Sequence, residues 1–136
     1  MLKIAFIACS KTKESFSCEV RQLYQGALFK KALEYCSRHY DEVYVLSAKH
    51  GLLELSDIIA PYEETLNTKT REERMEWTEK VKEQLRDKSI NGRLTFFTGE
   101  NYHEFFVGEK PLQGISMGSQ LKWFNEKLKE KGFFDD

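Results

Sequence analysis

No stretch of this sequence approaches the roughly 20 consecutive apolar residues that a membrane-spanning helix needs. A membrane protein is therefore not expected. Cysteine is scarce, at positions 9, 18 and 36 only. An odd number without a Cys-x-x-Cys pair supports neither a disulfide framework nor a structural zinc site. Basic charge is not in excess, because the net charge is −1. A sequence-independent grip on duplex DNA needs a basic surface, so composition speaks against one. The apolar N-terminus, Met1 to Cys9, lacks the basic n-region and the longer apolar core of a secretory signal. A buried strand in a reducing cytoplasm is expected instead. Repeats, low-complexity tracts and linkers are also missing, so residues 1–136 are expected to form a single domain. His39, His50 and His103 fall in unrelated elements, so no metal site is expected. The glycine spacing of a phosphate-binding Walker loop is lacking, and no cofactor is expected.

What the chain does have is enough apolar surface for one core: 40% hydrophobic residues, 13% aromatic. That excludes a disordered chain. Residues 2–9 are almost continuously apolar, as in a strand covered on both faces. Leu28, Phe29, Ala32, Leu33 and Cys36 recur at helical spacing and predict a helix over about Leu23–Arg38. Val43–Leu46 reads as a second buried strand, ending at Ser47. A long segment punctuated by Gly51 and Pro61 follows. Thr70 with Glu73 makes a capping box. It opens a helix to about Asp87, with Met75, Thr78, Val81 and Leu85 expected on the inner face. Asn91-Gly92 signals a turn, and Leu94–Thr98 reads as a third strand. A short helix is expected over Asn101–Phe106. A last one is expected from about Ser116 to Lys131, with Met117, Leu121, Phe124 and Leu128 inward and Gly132 as its C-cap. Phe133-Phe134 is expected either to pack back on the body or to fray.

Alternating strands and helices predict an α/β fold. The expected architecture is a three-layer sandwich with a central, mainly parallel sheet of about four strands and helices on both faces. In such sheets ligands sit beyond the carboxyl ends of the strands. Attention therefore falls on the loops that begin at Cys9, Ser47 and Thr98.

The first loop, Ala8-Cys9-Ser10-Lys11-Thr12-Lys13, joins free backbone N–H groups to two lysines and two hydroxyls. Those groups suit a phosphate or carboxylate. A solvated surface loop has the same composition. The second loop, Ser47-Ala48-Lys49-His50-Gly51, places an imidazole at a strand end. His50 could act as acid, base or hydrogen-bond partner, or merely cap the strand. Gly51 is expected to supply an unusual backbone dihedral or a close approach to a ligand. Asp57, Glu63 and Glu64 are the carboxylates nearest to His50 in sequence, and one of them could orient it or activate water. Asp57 could equally start a turn. Tyr62 either stacks on a base or fills the core. Tyr102 and His103 follow the third strand, and Tyr24 and Gly26 lie near the first loop. His39, at a helix end, reads as structural. Cys9 with His50 would make a nucleophile–base pair. The commoner role of a cysteine in an apolar strand is that of a small buried hydrophobe.

CSKTK after the first strand, with SAKHGLLELSDIIAPYEETL after the second, resembles an uncharacterised bacterial and phage family. That family is in turn similar to the YaaA peroxide-stress DNA-binding proteins. The matching positions are Lys11 and Thr12, then Ser47, Gly51, Leu52, Asp57, Pro61 and Tyr62. His50 stands where that type has a tyrosine, and the chain is shorter and less basic. A further resemblance is to the uracil-DNA-glycosylase-like α/β fold. It implies a site for a base or nucleotide, with Ser10, Lys11 and Lys13 on phosphate. Tyr62 would shape the pocket, and His50 with Asp57 would do polar work.

Two main functions follow as expectations. One is an enzyme acting on a nucleobase or N-glycosidic bond, with His50, Asp57 and Glu63 catalytic. Ser10, Lys11, Thr12, Lys13, Ser47, Gly51, Tyr62 and Tyr102 would bind the ligand. The other is a non-catalytic DNA- or nucleotide-binding stress or phage accessory protein. A surface that binds another protein, around Phe133-Phe134, is a third. The expected partner is a nucleotide, nucleobase or short single-stranded nucleic acid, and not a membrane.

Overall fold

The structure, a computed structural model, describes the backbone of residues 1–134 and the side chains of residues 1–129. Its elements follow from the pattern of burial. β1 (Lys3–Ala8) is central because Ile4, Ala5, Phe6 and Ile7 are all fully buried. β3 (Glu42–Ser47) and β6 (Arg93–Phe97) flank it in parallel register, with Ala5 opposite Val43 and Thr95. β4 (Gly51–Glu54) turns back and pairs antiparallel with β3, giving the order β4-β3-β1-β6. Two short strands, β2 (Cys18–Glu19) and β5 (Ile58–Ile59), form a separate antiparallel pair.

Side chains alternate across β1. Ala5 and Ile7 join a core with Phe29, Ala32 and Cys36 of α2 (Ala27–His39) and Phe124 of α5 (Met117–Phe134). Ile4 and Phe6 join the opposite core with Trp77, Val81 and Leu85 of α3 (Arg71–Asp87) and Tyr102 of α4 (Glu100–His103). This is the expected α/β three-layer sandwich. Each large side chain buried in these layers stabilises the fold by about 2 kcal/mol. No helix among the described residues is long and apolar enough to cross a membrane.

Several boundaries differ from the sequence reading, each for a local reason. The first helix does not begin at Leu23. A single turn, α1 (Val20–Leu23), ends there, and the backbone of residues 23–25 pairs with the first loop. Glu14 N–H donates to Leu23 O at 2.8 Å and Gln25 N–H to Thr12 O at 2.8 Å. Those bonds replace a continuing helix, and α2 starts only after Gly26. The long segment after Ser47 is not merely a loop, because it holds β4 and β5. Met75 is 42% exposed and Met117 is 73% exposed, so neither faces inward. Trp77 takes the buried place beside Thr78, Val81 and Leu85. The capping box of Thr70 and Glu73 is formed, with bonds of 2.9 and 3.1 Å. α4 covers Glu100–His103 and stops short of Phe106. α5 continues through Gly132 to Phe134, so that glycine does not end it. The Phe133-Phe134 side chains lie outside the described residues.

The connections position the site. The chain leaving β1 goes to the α2 face, whereas the chain leaving β6 enters α4 on the α3 face. Such a divergence opens a crevice at the carboxyl ends of adjacent strands. Cys9 lies at this point and packs against both cores. Residues 60–66 then cross over the carboxyl edge as a strap, taking Tyr62 to the α2-face core and Leu66 to the α3-face core.

Candidate functional site

The strap is pinned by hydroxyls. Ser47, the last residue of β3, is fully buried. Its Oγ accepts N–H bonds from Lys49 at 3.2 Å and His50 at 3.1 Å. Two acceptor positions are all a hydroxyl oxygen has, so Ser47 must donate its own hydrogen. It does so to Tyr62 Oη at 2.6 Å, and Tyr62 Oη shares a further hydrogen bond of 2.6 Å with Tyr24 Oη. Burial pushes the Tyr24 phenol up to about 12, partly offset by the bond with Tyr62. Burial also raises Tyr62. Both stay neutral at physiological pH. Beside these hydroxyls, toward the α3 face, Cys9 Sγ lies 3.5 Å from Tyr102 Oη, which accepts a long 3.5 Å bond from Leu66 N–H.

Basic groups surround this buried chain. Lys13 Nζ stands 4.6 Å from the centre of the Tyr62 ring, and Lys49 Nζ stands 5.8 Å from it. The half-buried His50 imidazole meets the same ring edge-on, 5.4 Å between centroids. The His50 pKa is lowered, first by burial, then by Lys49 and Lys80, against smaller opposing effects of Glu64 and Asp57. The two loops that diverge in sequence thus share one rim, with Tyr62 between them.

The sequence-predicted residues separate into two groups. Lys13, Ser47, His50 and Tyr62 are brought together. Gly51 adopts φ +76°, the conformation expected of it, at the end of the turn that carries His50. Ser10 shapes the first loop: it donates to Thr12 O at 2.7 Å and accepts from Gly26 N–H at 3.2 Å. Lys11 and Thr12 are exposed, and the Lys11 carbonyl accepts from Lys13 Nζ at 3.3 Å. Tyr102 lines the neighbouring side beside Cys9. Asp57 is a turn residue, since its Oδ2 accepts from Glu54 N–H at 2.9 Å and Asp57 N–H returns to Glu54 O at 3.1 Å. Glu63 is exposed on the strap. Tyr62 fills the core, because it is buried and hydrogen-bonded at its hydroxyl.

Three residues of α3 escaped the sequence reading. Trp77 Nε1–H donates to Ser47 O at 2.9 Å, Lys80 Nζ to Lys49 O at 3.2 Å, and Gln84 Nε2–H to His50 O at 3.0 Å. Their spacing of three and four residues was the available signal, but a polar stripe on a helix ordinarily means solvent. Among the described residues no group of three His, Cys, Asp or Glu side chains could hold a metal ion.

Residues 4–126 match a family of unknown function, DUF6884. The chain belongs to that family. No curated protein and no solved structure matches it. The matched span contains the first loop, the Ser47–Gly51 turn, the strap and α3, so the whole rim lies within the DUF6884 region.

Proposed function

We propose that this DUF6884 chain binds a small phosphate-bearing nucleotide, or the end of a short single-stranded nucleic acid, at the carboxyl ends of β1 and β3. The observation that carries the reading is the meeting of Lys13, Lys49 and His50 around the ring of Tyr62. Two ammonium groups beside one rim suit a phosphate, and each charge-assisted contact is worth about 1.5 kcal/mol. The half-buried imidazole, kept neutral, offers hydrogen bonds of both kinds to a base edge. The resemblance of the two loops to nucleic-acid-related families supports the base-bearing part of the ligand. With a net charge of −1, a compact local patch suits a small ligand better than long duplex DNA. A cytoplasmic location accords with this ligand.

A second reading, hydrolysis of an N-glycosidic bond, has one observation in its favour. His50 stands at the ring of Tyr62 with its pKa lowered, while the charges of Glu64 and Asp57 act in the opposite direction. In that reaction Glu64 replaces Asp57 as the partner, because Asp57 is committed to its turn.

Calorimetric titration with AMP, adenosine and inorganic phosphate, at low and raised salt, tests the first reading. AMP is expected to bind, adenosine to bind about tenfold or more weakly, and salt to weaken AMP. Equal binding of AMP and adenosine, or no binding of either, refutes it. Chromatography of the same mixtures for free adenine tests the second.

A further inference from the structure

The turn between β3 and β4 carries both Lys49 and His50, and its backbone is held by something other than itself. Lys49 N–H and His50 N–H go to Ser47 Oγ. The carbonyls of Ser47, Lys49 and His50 go to Trp77, Lys80 and Gln84 of α3. Gln84 also accepts from Leu52 N–H at 2.9 Å, so its carboxamide grips both sides of Gly51. An added Cβ at Gly51 would collide with Gln84 Oε1. Ala48, the remaining turn residue, is 5% exposed and packs in the α3-face core.

We propose that Trp77, Lys80 and Gln84 are positioning residues, a single row on α3 that fixes where Lys49 and His50 stand at the rim. The argument is geometric. Surface turns usually leave their carbonyls to water and move accordingly. Here three donors of different chemistry, spaced by three and four residues, lie on one stripe of a helix and meet three carbonyls of one turn. With the backbone drawn toward α3 and Ala48 packed beneath, Lys49 and His50 keep their side chains at the ring of Tyr62. Lys80 has a second effect. Its ammonium joins Lys49 in disfavouring the charged imidazole, while Glu64 and Asp57 oppose them. The row therefore sets the place of His50, and Lys80 within it also adds to the burial and the Lys49 charge that disfavour the imidazolium. Its use for a ligand rests on the nucleotide reading. Its existence does not.

The test follows the His50 ring resonances against pH in the ligand-free full chain, with backbone amides of residues 47–52 and the melting temperature recorded alongside. Lys80→Met is expected to move the His50 midpoint up toward 6.5, and Lys80→Arg to leave it in place. Gln84→Met is expected to shift the amides of residues 50–52 and to weaken AMP binding severalfold. An unmoved midpoint in Lys80→Met, or unmoved amides in Gln84→Met, overturns the proposal, whatever happens to the melting temperature. Failure of AMP to bind the unaltered chain would count against the nucleotide reading alone, because the His50 titration uses no ligand.

Discussion

The hydroxyls of Tyr62 and Tyr24 share a hydrogen bond of 2.6 Å, which ties the strap over the sheet to the segment that precedes α2. The bond is the middle of an ordered chain from Ser47 through Tyr62 to Tyr24. Its Ser47 end is directed, because two backbone N–H groups fill the acceptor positions of Ser47 and leave its hydrogen for Tyr62. Every link is buried, so a gap in it leaves a donor and an acceptor away from water.

Tyr62→Phe removes the middle hydroxyl and strands both neighbours. Urea denaturation is expected to show a loss of about 1–3 kcal/mol. Tyr24→Phe, at the end of the chain, strands only Tyr62 and is expected to cost less. A double-mutant cycle should return a coupling of about 0.5–3 kcal/mol. Additive losses would mean that the hydroxyls do not act as one unit.

Gly51→Ala combines a strained backbone at φ +76° with a collision against Gln84. The conformational part alone costs about 1–2 kcal/mol. Amide exchange at Leu52 should speed up more than exchange in β1, because the substitution breaks the Gln84 contact to Leu52 N–H. Uniform acceleration across the sheet would place the damage elsewhere.

Acid should destabilise the chain through His103 and His50. His103 is 1% exposed, with Nδ1 3.2 Å from Thr98 Oγ1 and Nε2 without a hydrogen-bond partner among the described residues. Burial lowers its pKa from 6.5, with Lys110 acting in the same direction and Glu100, Thr98 and Glu104 opposing. His50 is lowered as well. Below 6.5 the unfolded chain binds protons that the folded chain refuses, so stability falls as pH drops toward the folded midpoints. Above 6.5 these two groups add no slope. Urea midpoints between pH 8 and 5 check this, and His103→Gln should flatten the fall. An unchanged slope in that variant would clear His103 of the effect.

Much of the frame was legible. Ile4, Phe6 and Ile7 announce a strand with two covered faces, and Phe29, Ala32 and Cys36 announce a one-sided helix. Thr70 and Glu73 mark the start of α3 to the residue. What stayed hidden depends on partners distant in sequence. Gly51–Glu54 becomes a strand because β3 offers an open edge, and Cys18–Glu19 because Ile58–Ile59 lies beside it. Met75 suits an inner face by type, yet α3 rolls to bury Trp77 instead, while α5 buries Phe124 and Leu128 as expected and leaves Met117, in its first turn, exposed.

At the rim the same division holds. Strand ends pointed to Lys13, Ser47 and His50 without reference to contacts. Asp57 looked like an acid–base partner by nearness in sequence, but its turn with Glu54 claims the carboxylate. Trp77, Lys80 and Gln84 sit about thirty residues beyond the turn they hold, and only the packing of α3 against β4 brings them there.

The common rim is tested most directly by an AMP titration watched residue by residue with NMR. The His50 ring and the backbone amides of Ser10–Lys13 are expected to shift together along one saturation curve, and Lys13→Met is expected to weaken that curve about tenfold. Shifts confined to one loop, or a curve that Lys13→Met leaves unchanged, would contradict a shared site.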